Sequence, residues 1–309
     1  MDTQTPLIVP SFSSRGFPQV GQIYDELRGH LYGVCLISAS DISEGLIPSD
    51  FANDANVIMV DSGRYEHDES AFGYSECSIP PSTSDWSRPA YHSTIATRLN
   101  DIANRIVVNY DRCAEVASQI ESAGVDFAQA PRAAKNFLIK PELPGQLVNV
   151  AKLRRFASDL DSYEVIGVTA RELGDSLADR CRSIVMMRDI LGDAGLDSPI
   201  HVFGAIRPCE VLAYFFCGAD IFDGLSWLKL AFRNDRNFHI EEVAFEEFNW
   251  NLPDDELKYE ERAANLRFLF RLQEDLQAYA LNGEVCALVE KYTFAAKSVK
   301  VARISGADI

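Results

Sequence analysis

The chain has 309 residues, 47% of them hydrophobic and 24% charged, a composition that can bury a large core and excludes disorder, collagen and coiled coil. Its 29 basic and 46 acidic residues leave a formal charge of −17, which argues against indiscriminate binding to nucleic acid or anionic lipid but leaves room for a local basic patch. No apolar run reaches the roughly 18 residues of a membrane span, and the opening MDTQTPLIVP is acidic where a signal peptide is basic, so a soluble, cytoplasmic protein without membrane contact is expected.

Along the chain, short β-branched apolar runs alternate with stretches long enough for a helix. The runs are 6–12 (PLIVPSF), 32–37 (YGVCLI), 57–61 (VIMVD), 105–111 (RIVVNYD) and 136–140 (NFLIK), followed by 163–169 (YEVIGVT), 200–205 (IHVFGA) and 219–223 (ADIFD). None alternates polar with apolar, so both faces are expected to be buried, as in a parallel sheet. The intervening stretches 111–124, 171–191 and 208–218 carry apolar residues at helical spacing, the first with Gly124 where a helix would end. Eight strand–helix units predict an α/β fold, a (β/α)8 TIM barrel. An open doubly wound sheet competes, but no strand is followed by a GxGxxG phosphate turn.

Two features exceed a minimal barrel. Segment 62–104, holding His67, Tyr74, Trp86, Tyr91 and Pro80-Pro81, is a long insertion after the third strand, expected to fold over one end and shape the substrate mouth. The tail opens on Pro253-Asp254-Asp255-Glu256, suited to a helix N-terminus. A long amphipathic helix is expected to reach about Leu281 before Asn282-Gly283, with a shorter one from Glu284. The domain reading is a barrel over 1–240 and a helical C-terminal appendage, 241–309, packing on it.

Cys35, Cys77, Cys113, Cys181, Cys209, Cys217 and Cys286 are scattered without a CxC or CxxC, and the five histidines are equally dispersed. Free thiols in a reducing compartment fit this set, and nothing in it proposes a metal or another cofactor.

In a barrel, reactive groups collect where strands end. The candidate strand ends supply Asp61, Asp111, Lys140, Gly167 and Asp223. Carboxylates gathered at one end of a buried sheet are costly unless they bind or react, and a carboxylate pair is what chemistry at a sugar anomeric carbon requires. The competing reading makes these aspartates helix caps, with Asp111 the most suited to it. Lys140 is read as touching an anionic or carbonyl group, against a plain surface lysine.

The motif order resembles the tRNA-guanine transglycosylase family, (β/α)8 enzymes that exchange a guanine in nucleic acid for a 7-deazaguanine. TPLIVPSFSSRG resembles that family's opening strand, VIMVDSGRYE its DSGGFQ motif, IVVNYDR its FDE segment and YEVIGVTARELG its Gly-Gly-Leu strand. HVFGAIRPCEVLAYFFCGADIFDGL is similar to its last two strands, FRNDRN to its TRNARNG loop and NLRFLFRLQEDLQ to its closing helix. The resemblance implies Asp223 as the nucleophile that attacks C1′ and Asp61 as the general acid/base. It implies Asp111, Ser62, Gly63, Lys140, Gly167 and Val168 around the base.

The chain departs from the family pattern at several points. DSGGFQ reads Asp61-Ser62-Gly63-Arg64-Tyr65-Glu66, the base-reading Gln-Gly reads Lys140-Pro141, and Gly-Gly-Leu reads Ile166-Gly167-Val168. The family's zinc-binding CxCxxC is missing, and Ala264 stands where its zinc-ligating His precedes Asn265-Leu266. Because that module docks tRNA in the family, its loss makes DNA the preferred polymer over tRNA, with a 7-deazaguanine base as co-substrate. Family members form homodimers in which the module takes part, so the dimer stays open here.

Backbone phosphates are assigned to Lys229, Arg233 and Arg236 beside Trp227 and Phe232. Lys152, Arg154 and Arg155 form a second basic cluster, read as a solvated helix face, and Lys291, Lys297, Lys300 and Arg303 a third. A partner protein that delivers the substrate is a further expectation for so acidic a chain. Two alternatives stay beside base exchange: a base-removing glycosidase and a non-catalytic subunit that positions nucleic acid.

Overall fold

A computed structural model describes residues 4–67, 85–99, 102, 104–247 and 250–308. Eight parallel strands close into a barrel in sequence order: β1 (Leu7–Phe12), β2 (Val34–Ser38), β3 (Val57–Asp61), β4 (Arg105–Val108), β5 (Ala134–Ile139), β6 (Val165–Thr169), β7 (Ile200–Phe203) and β8 (Ile221–Gly224). β8 pairs back onto β1, with Val9 opposite Asp223. The chain therefore has the (β/α)8 TIM-barrel fold.

The strands lack polar alternation because each buries two faces. Leu7, Val9, Val34, Leu36, Val57, Met59, Ile106, Val108, Leu138, Val165, Phe203 and Ile221 form one cluster, the barrel interior. The intervening residues, among them Ile8, Ile37, Ile58, Val60, Val107, Ile139, Val168, Val202 and Phe222, join the helices in a second, larger cluster. The period of two assigns every strand residue to one layer or the other. Ser11, Ser38, Asp61, Asn136, Gly167, His201 and Asp223 fall in the inward set.

The outer layer comprises α1 (Val20–Leu27), α2 (Ala39–Ser43), α3 (Arg88–Arg98), α4 (Val116–Phe127), α5 (Ala157–Leu160), α6 (Leu177–Asp193) and α7 (Pro208–Phe215). A short antiparallel pair, β9 (Leu230–Phe232) with β10 (Asn237–His239), then leads to α8 (Ile240–Glu246), α9 (Asp254–Asn282), α10 (Val285–Lys291) and α11 (Thr293–Ile304). The helix expected from Asp111 begins later, at Val116, and runs through Gly124 to Phe127. The long tail helix ends as expected at Gly283, whose φ of 70° is left-handed.

The C-terminal helices complete the ring around the barrel. α9 packs on β1, β9 and α1, while α11 packs on α7 and α6. Leu266, Leu269, Leu272 and Leu276 bury one face of α9, and Gln273 Oε1 accepts from the Ile8 amide at 2.8 Å. Asn265, fully buried, accepts from the Phe232 amide at 2.9 Å and donates to the Trp227 and Leu230 carbonyls, both at 2.6 Å. That one side chain fixes the segment after β8 against α9.

The described part of the 62–104 insertion lies over the same end as Asp61. Trp86 donates to the Ser62 carbonyl at 3.0 Å and stacks on His67, and Tyr91 of α3 donates to the Val108 carbonyl at 2.5 Å. Tyr74 and Pro80-Pro81 lie outside the described residues.

Candidate active site

The C-terminal ends of the barrel strands gather polar side chains above the apolar interior. Asp223, on β8, is nearly buried and is held at both oxygens: Ser11 Oγ donates to Oδ2 at 2.7 Å and the Gly204 amide to Oδ1 at 3.1 Å. Its own carbonyl accepts from the Ala205 amide at 2.6 Å. His201 Nε2 stands 3.3 Å from Oδ1 without the alignment of a hydrogen bond. Asp223 thus belongs to the interior network, and the short 3-10 turn after it, Ser226–Leu228, has Leu225 and not Asp223 at its N-cap.

Asp61 ends β3 on the inward side, and its carboxyl is pushed well above the ordinary carboxylate range. Burial is the largest cause, followed by the charges of Asp111 and Glu66 and, more weakly, Asp223; the Ser62 amide partly opposes them. Asp223 and Asp61 therefore sense each other across the mouth. Asp111 lies beyond β4, four residues before the Glu115 cap of α4, and accepts a short hydrogen bond from Ser62 Oγ. The helix-cap reading of Asp111 does not hold, because α4 starts too late for it.

Ser62 is fully buried and supports Asp111. Gly63 has a φ of 80°, and a Cβ there would lie 2.7 Å from the Ser40 amide and 2.9 Å from Trp86 Nε1. It serves the close passage of the chain under Trp86.

Glu66 is 2% exposed and takes hydrogen bonds from Ser13 Oγ at 2.5 Å and Ser38 Oγ at 2.9 Å. Burial, reinforced by the nearby Asp41 carboxylate, nevertheless pushes it up to about 7, against 4.5 ordinarily. Between those values the folded protein keeps a proton that the unfolded chain has released, so this contribution to stability is complete below about pH 4.5 and is lost as pH rises through about 7. Glu66→Gln should therefore be more stable than the parent at pH 8 by up to about 3 kcal/mol, the gap closing toward acid pH. Urea unfolding across pH 4.5–8 reads this, and a difference constant with pH would show that Glu66 titrates as an ordinary glutamate.

On the opposite side, Lys140 Nζ pairs with Glu172 Oε1 at 2.7 Å. Burial would lower the Lys140 ammonium, but Asp111 and Glu172 outweigh it and hold it above its usual range. Lys140 is therefore at the mouth and already neutralised by acids. Gly167 faces inward, where a Cβ would lie 2.7 Å from Asn136 Oδ1 and 2.8 Å from the Phe203 ring. Gly167→Ala should force both side chains aside and lower stability by about 1–3 kcal/mol, measurable as a fall in melting temperature. Val168 has the opposite parity and packs under the helices, so it does not line the mouth.

The basic residues after β8 are largely engaged. Arg233 pairs with Glu247 at 2.7 Å and Glu261 at 3.1 Å, and Arg236 with Glu246 at 3.6 Å, both guanidinium groups lying over Phe238. Lys229 lies over Phe17 and pairs with no carboxylate among the described residues. Lys152 and Arg154 pair with Glu142 and Asp193, and Lys291 with Asp275. Ala264 sits on α9, and no three His, Cys, Asp or Glu among the described residues are grouped to hold a metal ion. No helix among them is long and apolar enough to cross a membrane.

Two shallow surface depressions, one bounded by Ile240, Asp254 and Leu257 and the other by His30, Tyr259 and Arg267, share no residue with the mouth.

The sequence reading passed over Ser11, Asn136, Glu172 and His201. The signal for three of them was present: Ser11, Asn136 and His201 are polar residues at inward positions of otherwise apolar strands. Comparison with known proteins adds no relative to this geometry, since neither a family model nor a curated protein matches the chain.

Proposed function

We propose that this protein exchanges a guanine base in nucleic acid, DNA in preference to tRNA, for a 7-deazaguanine through a covalent intermediate on Asp223. The observation that carries the reading is the pair of inward-facing carboxylates at one barrel mouth, Asp223 anchored at both oxygens and Asp61 driven toward its protonated form. The motif order supports it independently.

Balanced over two steps, an Asp223 oxygen forms a bond to C1′ as the C1′–N9 bond breaks. The electron pair goes to N9, which takes the proton held by Asp61. In the second step N9 of the incoming 7-deazaguanine attacks C1′. The pair in the C1′–O bond returns to Asp223, and the N9 proton restores Asp61. Asp111 and Lys140 are assigned to the base and Lys229 to the backbone. The target nucleotide must leave its stack to enter, which takes a few kcal/mol. The acidity of the chain suits delivery of the substrate by a partner protein.

The test is to mix the protein with guanine-containing DNA or tRNA, quench in denaturant and look for a covalent protein–nucleic acid adduct. Resolution that requires a 7-deazaguanine supports exchange. Resolution by water alone replaces it with a glycosidase, and no adduct with either polymer overturns it.

A further inference from the structure

His201 is fully buried inside the barrel, a costly place for an imidazole unless its nitrogens are used. Three strands arrange it. Asn136 of β5 brings Nδ2 to 2.7 Å from His201 Nδ1, reaching across β6 where Gly167 leaves the space. Phe203 stacks on the ring with centroids 3.8 Å apart. The other nitrogen, Nε2, then faces Asp223 Oδ1 at 3.3 Å. A lone pair on Nε2 would repel that carboxylate, so the consistent arrangement has Asn136 donating to Nδ1 and the ring hydrogen on Nε2.

We propose that His201 is a positioning residue for Asp223, a neutral imidazole whose Nε2–H meets Oδ1 as negative charge returns to the carboxylate. This rests on Asp223 being the nucleophile. When Asp223 becomes an ester its charge is lost; when the C1′–O bond breaks, the electron pair returns to the carboxylate. An N–H 3.3 Å from Oδ1 that closes onto the oxygen as the charge returns stabilises that departure more than it stabilises the ester, and so speeds the second step. Adduct formation changes little, because the same N–H serves the free carboxylate and the oxocarbenium-like transition state alike. Asn136 acts one contact further out, by fixing which nitrogen carries the hydrogen.

The experiment has two arms. In the first, the parent, His201→Leu and His201→Gln are loaded with the guanine-containing strand that labels the parent, then chased with a 7-deazaguanine base. His201→Leu should form adduct normally but resolve it about 100-fold more slowly, whereas His201→Gln, which keeps an N–H donor, should recover most of the rate. Parent-like resolution in His201→Leu overturns the inference and leaves the base-exchange reading intact. A parent that forms no adduct overturns that reading, and with it the step given to His201.

The second arm needs no substrate. Nitrogen-15 NMR of the histidine side chains should show His201 neutral with its hydrogen on Nε2, and Asn136→Leu should release the other tautomer. A hydrogen on Nδ1 in the parent, alone or with Nε2, overturns the inference even if the leucine variant is unstable.

Discussion

Asp223→Asn should eliminate the denaturant-stable adduct and reduce base exchange by about 10,000-fold or more, the scale on which removal of a covalent nucleophile acts. An amide cannot form the glycosyl ester, so no intermediate accumulates at any substrate concentration. The substitution also meets a structural difficulty. The carboxylate accepts from Ser11 on one oxygen and from the Gly204 amide on the other; an asparagine keeps both contacts only by accepting from Gly204 with its oxygen and donating its NH2 to Ser11 Oγ, whose hydroxyl must turn to accept. The weaker neutral bonds and the redirected Ser11 hydrogen should lower stability by about 1–2 kcal/mol. A melt at the assay temperature separates this from the chemical loss. A variant that still labels with nucleic acid would move the nucleophile elsewhere.

Asp61→Asn should show a different pattern. Loss of the general acid slows adduct formation by about 100- to 10,000-fold, yet the variant should be more stable than the parent near neutral pH. The reason is electrostatic: burial and the charges of Asp111, Glu66 and Asp223 all disfavour an ionised Asp61, and the amide removes that repulsion. Because the folded-state carboxyl is raised, its contribution to stability is present in acid and lost as pH rises, so the gain in the variant grows with pH. The rate of adduct formation in the parent should fall over the same rise, as Asp61 gives up its proton, and this limb should vanish in the variant. Single-turnover labelling across pH with parallel urea unfolding reads both. Reduced stability in Asp61→Asn would show that the carboxylate is structural.

The two variants divide the site. One is expected to lose chemistry and stability together, the other to exchange chemistry for stability, as groups held against their own preference do. Glu66 follows the second pattern more weakly, since two serine hydroxyls already satisfy it. The Lys140–Glu172 pair is a third element, an ion pair standing where a base edge would be read. A substrate that binds there must compete with Glu172 for the ammonium, which favours a base bearing a carbonyl or anionic acceptor near Lys140.

Much of the architecture was legible because buried parallel strands carry a strong signal. Runs such as VIMV (57–60) and VIGV (165–168) carry no polar alternation, as a sheet covered on both faces requires, and the acids that close VIMVD and ADIFD named Asp61 and Asp223. Parity is legible too. It separates Gly167, which faces inward, from Val168, which faces the helices, and it marks Asn136 and His201 as polar intrusions into an apolar interior. The position of Asp111 was less accessible, since the approach from β4 to α4 includes an irregular stretch before Glu115 that no local pattern distinguishes from the first helical turn.

What the amino-acid order determined by itself was therefore local and periodic: eight strands, the helices between them, the terminal glycine of α9 and the acids at strand ends. What only the tertiary structure decided was which of those groups meet. Asn136 reaches His201 over a strand that has no side chain at Gly167, Ser11 closes on Asp223 from the far end of the chain, and Glu261 and Glu247 claim Arg233. Such meetings depend on barrel closure, which joins β1 to β8 across more than two hundred residues, and on register between non-adjacent strands. Neither leaves a trace in the local spacing of residues, because the forces that set them act through space between segments that the sequence keeps apart.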